Sequence, residues 1–177
     1  MKLRVAQREA MAGAHLADAL REVAREYGRA LEETLGERLV SVVLYGSVGR
    51  GEAGETSDVD LLVVAERLPQ GRFRRQEVLE PADQRVDALL EELAGQGVHT
   101  GVSVILKTPA EAKRLVPLYL DMVEDAVLLV DRGGFFAATL DRLRQSLARL
   151  GSRRHRLGRF RYWELKPDLR PGETFSL

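Results

Sequence analysis

Gly46 and Ser47 are followed, after ten residues, by Asp58-Val59-Asp60, all within the segment Leu44–Val64 (LYGSVGRGEAGETSDVDLLVV). Each residue type has a physical use at that spacing. A glycine lets the backbone turn sharply and approach a phosphate with no Cβ in the way. A serine adds a hydroxyl and a backbone N–H, and it can open a helical turn whose free N–H groups favour anions. Residues two apart on a strand point to one face, so Asp58 and Asp60 project side by side. Adjacent carboxylates repel, which raises the cost of ionising both. A divalent cation relieves that cost, and magnesium favours carboxylates plus substrate phosphate at about 2.1 Å. Arg50, inside the loop, is either a surface arginine or a fork donor that neutralises phosphate. The candidate set is Gly46, Ser47 and Arg50 for phosphates, with Asp58 and Asp60 as a metal-binding pair.

The elements that must hold these residues are legible on either side. Apolar positions Met11, Leu16, Leu20, Val23, Tyr27, Leu31 and Leu35 keep helical spacing over about Val5–Leu35, and Gly36 stops the run. Leu39–Tyr45 (LVSVVLY) reads as a buried strand, and Asp58–Ala65 (DVDLLVVA) as a second. Between them Gly46–Thr56 carries four glycines and reads as a loop with at most one helical turn. Phe73–Leu93 reads as helix interrupted near Pro81, and Val98–Leu106 as a third strand. Thr108-Pro109-Ala110-Glu111 has the pattern of a capped helix start. Pro117–Asp125 follows as helix, then Ala126–Val130 as a short strand. Phe136, Leu140, Leu143, Leu147 and Leu150 form the seam of a packed helix that Gly151 ends. The Ser152–Leu177 tail has no assigned structure. Helices on a small mixed sheet are the expected outcome, an α/β (α+β) fold.

Composition narrows the function classes. The chain has 177 residues and an ordinary globular balance, 45% hydrophobic and 31% charged, enough for one domain with a small appendage. It has no cysteine, which removes disulfides, thiolate metal sites and cysteine nucleophiles. Met1–Arg8 is polar and basic with no apolar stretch behind it, so no signal peptide is expected. The longest apolar runs fall far short of the roughly 20 residues of a membrane helix. A cytoplasmic protein without membrane contact is the expectation. The 27 basic and 27 acidic residues cancel, yet Arg142–Arg161 contains Arg142, Arg144, Arg149, Arg153, Arg154, Arg156, Arg159 and Arg161 and no acid. That run is either a solvated face or a patch for phosphates or RNA.

The Leu44–Val64 segment resembles the signature of the DNA polymerase β-like nucleotidyltransferase superfamily: apolar-Gly-Ser, a spacer of about ten residues, then Asp-x-Asp in an apolar strand. Arg50-Gly51 matches the Arg-Gly that members often carry after Gly-Ser. In length the chain is similar to the minimal nucleotidyltransferases, which are often paired with a helical HEPN protein. The resemblance implies a division into an N-terminal helix packed on the core (1–36), a nucleotidyltransferase core (37–131), and a C-terminal helix with a basic tail (132–177). It implies two-metal transfer of a nucleoside monophosphate from a nucleoside triphosphate, ATP by preference, to a protein, small-molecule or RNA acceptor. Metal ions on Asp58 and Asp60 would be magnesium. A HEPN-type partner is implied in the same way, and a homodimer is left open.

The pattern departs from the family at one place. Members present a third carboxylate on a neighbouring strand, commonly as general base, and the corresponding strand here reads GVSVIL with Ser103 at the expected position. A serine is neither a comparable metal ligand nor a base near neutral pH. Asp87 keeps helical spacing and reads as a helix-surface residue. Asp121, Glu124 and Asp125 are either surface acids or substitutes for the missing one, and His99, at the start of the same strand, is either partly exposed or a base. Tyr162, Trp163 and Leu165 either anchor the tail on the core or at a subunit contact, or Trp163 stacks on a base. Two other functions therefore stand beside the enzyme: a non-catalytic nucleotide-binding module in a HEPN-paired system, and an RNA-binding accessory protein using Arg142–Arg161.

Overall fold

The structure of the chain, a computed structural model, describes residues 2–158 and 160–177, and the side chains of residues 15–158 and 161–177. The side chains of Met1–Arg8 and Met11, and Arg159, lie outside the described residues. Helix α1 (Lys2–Leu35) takes the whole N-terminal apolar-periodic stretch. Gly36, left-handed at φ +54°, ends it and begins a single 3₁₀ turn. Strand β1 (Leu39–Tyr45), helical turn α2 (Gly46–Gly49) and strand β2 (Val59–Ala65) follow. The expected interrupted helix is two helices, α3 (Arg72–Glu77) and α4 (Glu80–Gly95). Pro81 sits in the first turn of α4, where a missing N–H costs nothing.

Strand β3 (Val102–Lys107) begins later than the apolar run predicts. The N–H of Val98 is taken by the Leu93 carbonyl at 2.9 Å, closing α4, so His99 lies in a connecting loop. Helix α5 (Pro109–Ala112) opens with the expected capping box. Thr108 Oγ1 accepts the Glu111 N–H at 3.2 Å, and the Glu111 carboxylate accepts the Thr108 N–H at 2.8 Å. Helix α6 (Tyr119–Met122) is a single turn, shorter than the predicted Pro117–Asp125. Strand β4 (Val127–Asp131), helix α7 (Phe135–Arg149) and a hairpin of β5 (Arg153–Leu157) and β6 (Phe160–Glu164) complete the chain. The hairpin is absent from the sequence expectation because Arg-rich strands lack apolar alternation.

The main sheet has the order β3-β2-β1-β4. Strand β1 pairs antiparallel with both β2 and β4, while β2 and β3 run parallel, so the sheet is mixed as expected. Each face buries a separate apolar layer. Leu61 and Val63 point toward Leu20, Tyr27 and Leu31 of α1 and Val86 and Leu93 of α4. Val43, Leu62 and Val64 point the other way, toward Tyr119 and Met122 of α6 and Phe136, Leu140, Leu143 and Leu147 of α7. The Tyr119 and Phe136 rings meet edge to face at 5.2 Å. Trp163 and Leu165 pack on this second layer, and the Trp163 indole N–H donates to the Leu120 carbonyl at 3.1 Å. These two residues anchor the tail on the core. Tyr162 is 55% exposed and stacks on His155 at 5.1 Å.

Asp131, at the end of β4, joins the sheet to α7. Its carboxylate accepts the hydroxyl of fully buried Ser41 at 2.7 Å and the N–H groups of Phe136 and Ala137 at 2.8 and 3.0 Å. Asp131→Ala strands that hydroxyl and two helix-start amides, and is expected to cost about 2 kcal/mol. Urea unfolding measures it, and a change under about 0.5 kcal/mol, the usual range for a surface substitution, contradicts the anchoring role.

Candidate functional site

The end of β1 and the start of β2 lie side by side, with Tyr45 opposite Asp60. Gly46 leaves β1 at φ +70°, a left-handed turn that glycine adopts without strain. A Cβ at Gly46 would stand 2.2 Å from Asp60 Oδ2. Glycine is therefore required at this position by the acid as much as by any phosphate. The α2 turn closes through the Arg50 N–H to the Gly46 carbonyl at 3.2 Å and the Glu52 N–H to the Ser47 carbonyl at 2.8 Å. The Ser47 hydroxyl donates to Ser57 Oγ at 3.0 Å, and Ser57 Oγ accepts the Gly54 N–H at 2.9 Å. The glycine loop is thus fastened at both ends.

Asp58 and Asp60 share the face of β2 that bears Leu62 and Val64, the face covered by α6 and α7. Asp58 is exposed, and one of its oxygens accepts the Gly101 N–H at 3.1 Å. The Gly101 carbonyl takes the Val59 N–H at 2.8 Å, and Thr100 donates its hydroxyl to the Ser57 carbonyl at 2.8 Å. These bonds tie the approach to β3 to the approach to β2. Asp60 is half-buried, and burial first, then the neighbouring Asp58 charge, raises its pKa; Arg50 opposes the rise. The Tyr45 hydroxyl is pushed up to about 12 by burial and by the charges of Asp60 and Asp121.

Ser103 pairs with Asp60 across the parallel β2–β3 register and is exposed. Paired residues face the same side, so the position of the missing acid is held by a hydroxyl. Among the other candidates, Asp87 is exposed on α4, against the opposite face of the sheet. Glu124 and Asp125 are both held by Arg154, and that guanidinium, helped by Arg161 and Arg50, keeps Asp125 below its ordinary range. Asp121 is exposed on α6, without an ion-pair partner among the described residues. Among the described residues no three His, Asp or Glu side chains converge as a ready-made metal cage. Two hard carboxylates beside a glycine turn still suit magnesium, which takes one or two carboxylates and completes its shell with water and phosphate oxygens.

Arg50 lies at the rim, its Nε–H 3.3 Å from Glu52. Three arginines of the basic run form ion pairs within the chain: Arg144 with Asp141, Arg154 with Glu124 and Asp125, and Arg161 with Glu52. Sequence reasoning missed Glu52, Ser57, Thr100 and Gly101 as parts of the site. Ser57, directly before Asp58, was the one with a local signal.

The chain belongs to the nucleotidyltransferase domain family, whose model matches residues 25–129. It is by that membership a nucleotidyltransferase. It is similar to a Methanocaldococcus jannaschii protein, MJ1305, provisionally named a protein adenylyltransferase: 32% identity over 133 residues, covering 74% of this chain and 85% of the relative. A second protein of that organism, MJ0141, provisionally named in the same way, is 35% identical over 48 residues, covering 27% of this chain and 48% of its own length. Among solved structures, a toxin–antitoxin chain with AMP-PNP is 18% identical at a TM-score of 0.42, covering 72% of this chain and 92% of that one. A chain from the complex of tri-AMPylated Shewanella oneidensis HEPN toxin with MNT antitoxin is 16% identical at 0.40, covering 75% and 92%. Likeness at that level is too loose to assign a ligand or a partner.

Two outcomes follow from the Gly46–Asp60 contact. Gly46→Ala forces Asp60 aside, and nucleotidyl transfer should drop about 10²-fold, the usual effect of moving a reacting group by an ångström, while far-UV circular dichroism stays native. Asp60, with its pKa raised in the fold, contributes stability while protonated and loses it as pH rises through the folded value. At neutral pH in chelator, Asp60→Asn should therefore raise the thermal midpoint; a fall would mean that the charged form is favoured by the fold.

Proposed function

We propose that the chain transfers AMP from ATP to an acceptor hydroxyl, with magnesium held by Asp58 and Asp60. The observation that carries this reading is the lodging of Asp60 against the Gly46 turn, with Asp58 beside it on the exposed side. Asp58 and Asp60 would hold the magnesium, which would supply charge neutralisation for the phosphate oxygens and the leaving pyrophosphate. Ser47 and the loop amides hold the distal phosphates, and Arg50 adds a guanidinium fork. The acceptor oxygen attacks the α-phosphorus in line, its bond to the β-phosphate oxygen breaks, and pyrophosphate leaves. Ser103 takes no proton near neutral pH, so the hydroxyl proton passes to water or to a carboxylate brought by the acceptor. The name of the M. jannaschii relative favours a protein acceptor, and the family resemblance makes a HEPN-type protein the first to try.

A second reading rests on the Ser103–Asp60 pairing: a module that binds nucleotide without turning it over. Incubation of the protein, magnesium and cell extract with ATP labelled at the α- or the γ-phosphorus separates the two. Transfer puts α-label, and no γ-label, into protein. Asp58→Asn with Asp60→Asn should cut that incorporation about 10³-fold, since the metal supplies several kcal/mol. Absence of transfer together with a magnesium-dependent thermal shift by ATP favours the binding module. Ser103→Asp restores the third carboxylate beside Asp60 and should raise the transfer rate within the roughly 10²–10⁴-fold range of a positioned base.

A further inference from the structure

Glu52 stands between two guanidinium groups. Arg50, two residues earlier, approaches it at 3.3 Å, and Arg161, on β6, bonds to its other oxygen from 109 residues away in sequence. Arg161 also lies 3.7 Å from Asp125. Glu52 hangs on the Ser47 turn through its backbone N–H, and Arg50 on the same turn through its own. The cluster therefore borders the turn against which Asp60 is packed. We propose that Arg161 is a triphosphate-binding residue delivered by the C-terminal hairpin, and that the Glu52 carboxylate holds its guanidinium until a triphosphate arrives. This rests on the AMP-transfer reading of the Gly46–Asp60 site.

Three observations support the exchange. Two planar forks on one carboxylate leave each only partly satisfied, whereas a triphosphate offers several oxygens and more charge to both. The Glu52 side chain is 43% exposed and the Arg161 side chain 21%, so the acid is the member with room to swing out. The hairpin is held independently, by Arg154 on Glu124 and Asp125 and by Trp163 on the Leu120 carbonyl. Releasing Glu52 therefore does not release β6.

The test is one of opposite signs. Calorimetric titration with ATP and magnesium is run on the wild type, Arg161→Gln and Glu52→Gln, with AMP as the control ligand. Loss of Arg161 should weaken ATP about tenfold and AMP little, as removal of a charge-assisted phosphate contact does. Loss of the competing Glu52 charge should tighten ATP about threefold. Arg161→Lys, which keeps the charge without the fork, should fall between wild type and Arg161→Gln, and it serves if the glutamine variant folds poorly. If both charge variants weaken ATP alike, or neither changes it, the pair is structural and the proposal fails. If the wild type binds no ATP, it is the underlying functional reading that fails.

Discussion

An oxygen of the Asp60 carboxylate occupies the space that a Cβ at position 46 would need, and most of the local architecture exists to keep it there. Antiparallel pairing of β1 with β2 puts Tyr45 opposite Asp60, so the turn leaving one strand falls over the acid entering the next. A side chain on the turn would push the acid out. The Ser47–Ser57 hydroxyl contact and the bonds from Thr100 and Gly101 fix the loop ends around this contact. A half-buried carboxylate beside a second one is electrostatically uncomfortable, and such discomfort is what a cation or a reacting phosphate can relieve.

The rest of the fold divides between the two faces of the sheet. Helices α1 and α4 cover the face away from the acids with an aliphatic layer and the Tyr27–Asp83 hydrogen bond at 2.6 Å. Burial, then the bond to Asp83, holds the Tyr27 hydroxyl protonated well beyond its ordinary range. The face that carries the acids is covered by α6, α7 and the hairpin, and only where the cover stops, at the ends of β1 and β2, do Asp58 and Ser103 reach solvent. The site is thus a gap at the edge of a packed layer.

Features that depend on local chemistry were legible in the sequence. The strand LVSVVLY, the glycine loop, the Asp-x-Asp strand and the Thr108 capping box each announce themselves within a few residues, and the structure places each within about a residue of expectation. The family resemblance assigns Ser103 to the third-acid position, and the β2–β3 register pairs it with Asp60. What stayed hidden depends on partners distant in sequence. No local pattern indicates that Arg154 takes Glu124 and Asp125, that Asp131 caps α7 while holding Ser41, or that an arginine-rich tail folds back as a hairpin. The start of β3 was misplaced because Val98 is apolar enough for a strand, yet its N–H is taken by the helix before it.

The two apolar layers also differ in how soon the growing chain can complete them. The layer under α1 and α4 is built chiefly from residues between Leu16 and Leu106. The layer over the acids needs α7 and then Trp163 and Leu165. During synthesis from the N-terminus the first face can close while the second is still waiting for its cover, since chain segments fold as they become available. The Gly46–Asp60 turn would then form early on a half-finished sheet, with Glu52 lacking its contact to Arg161 until the last strand has been made. An immature chain would present the acids without the surface around them, and the hairpin is the last described element to enclose them.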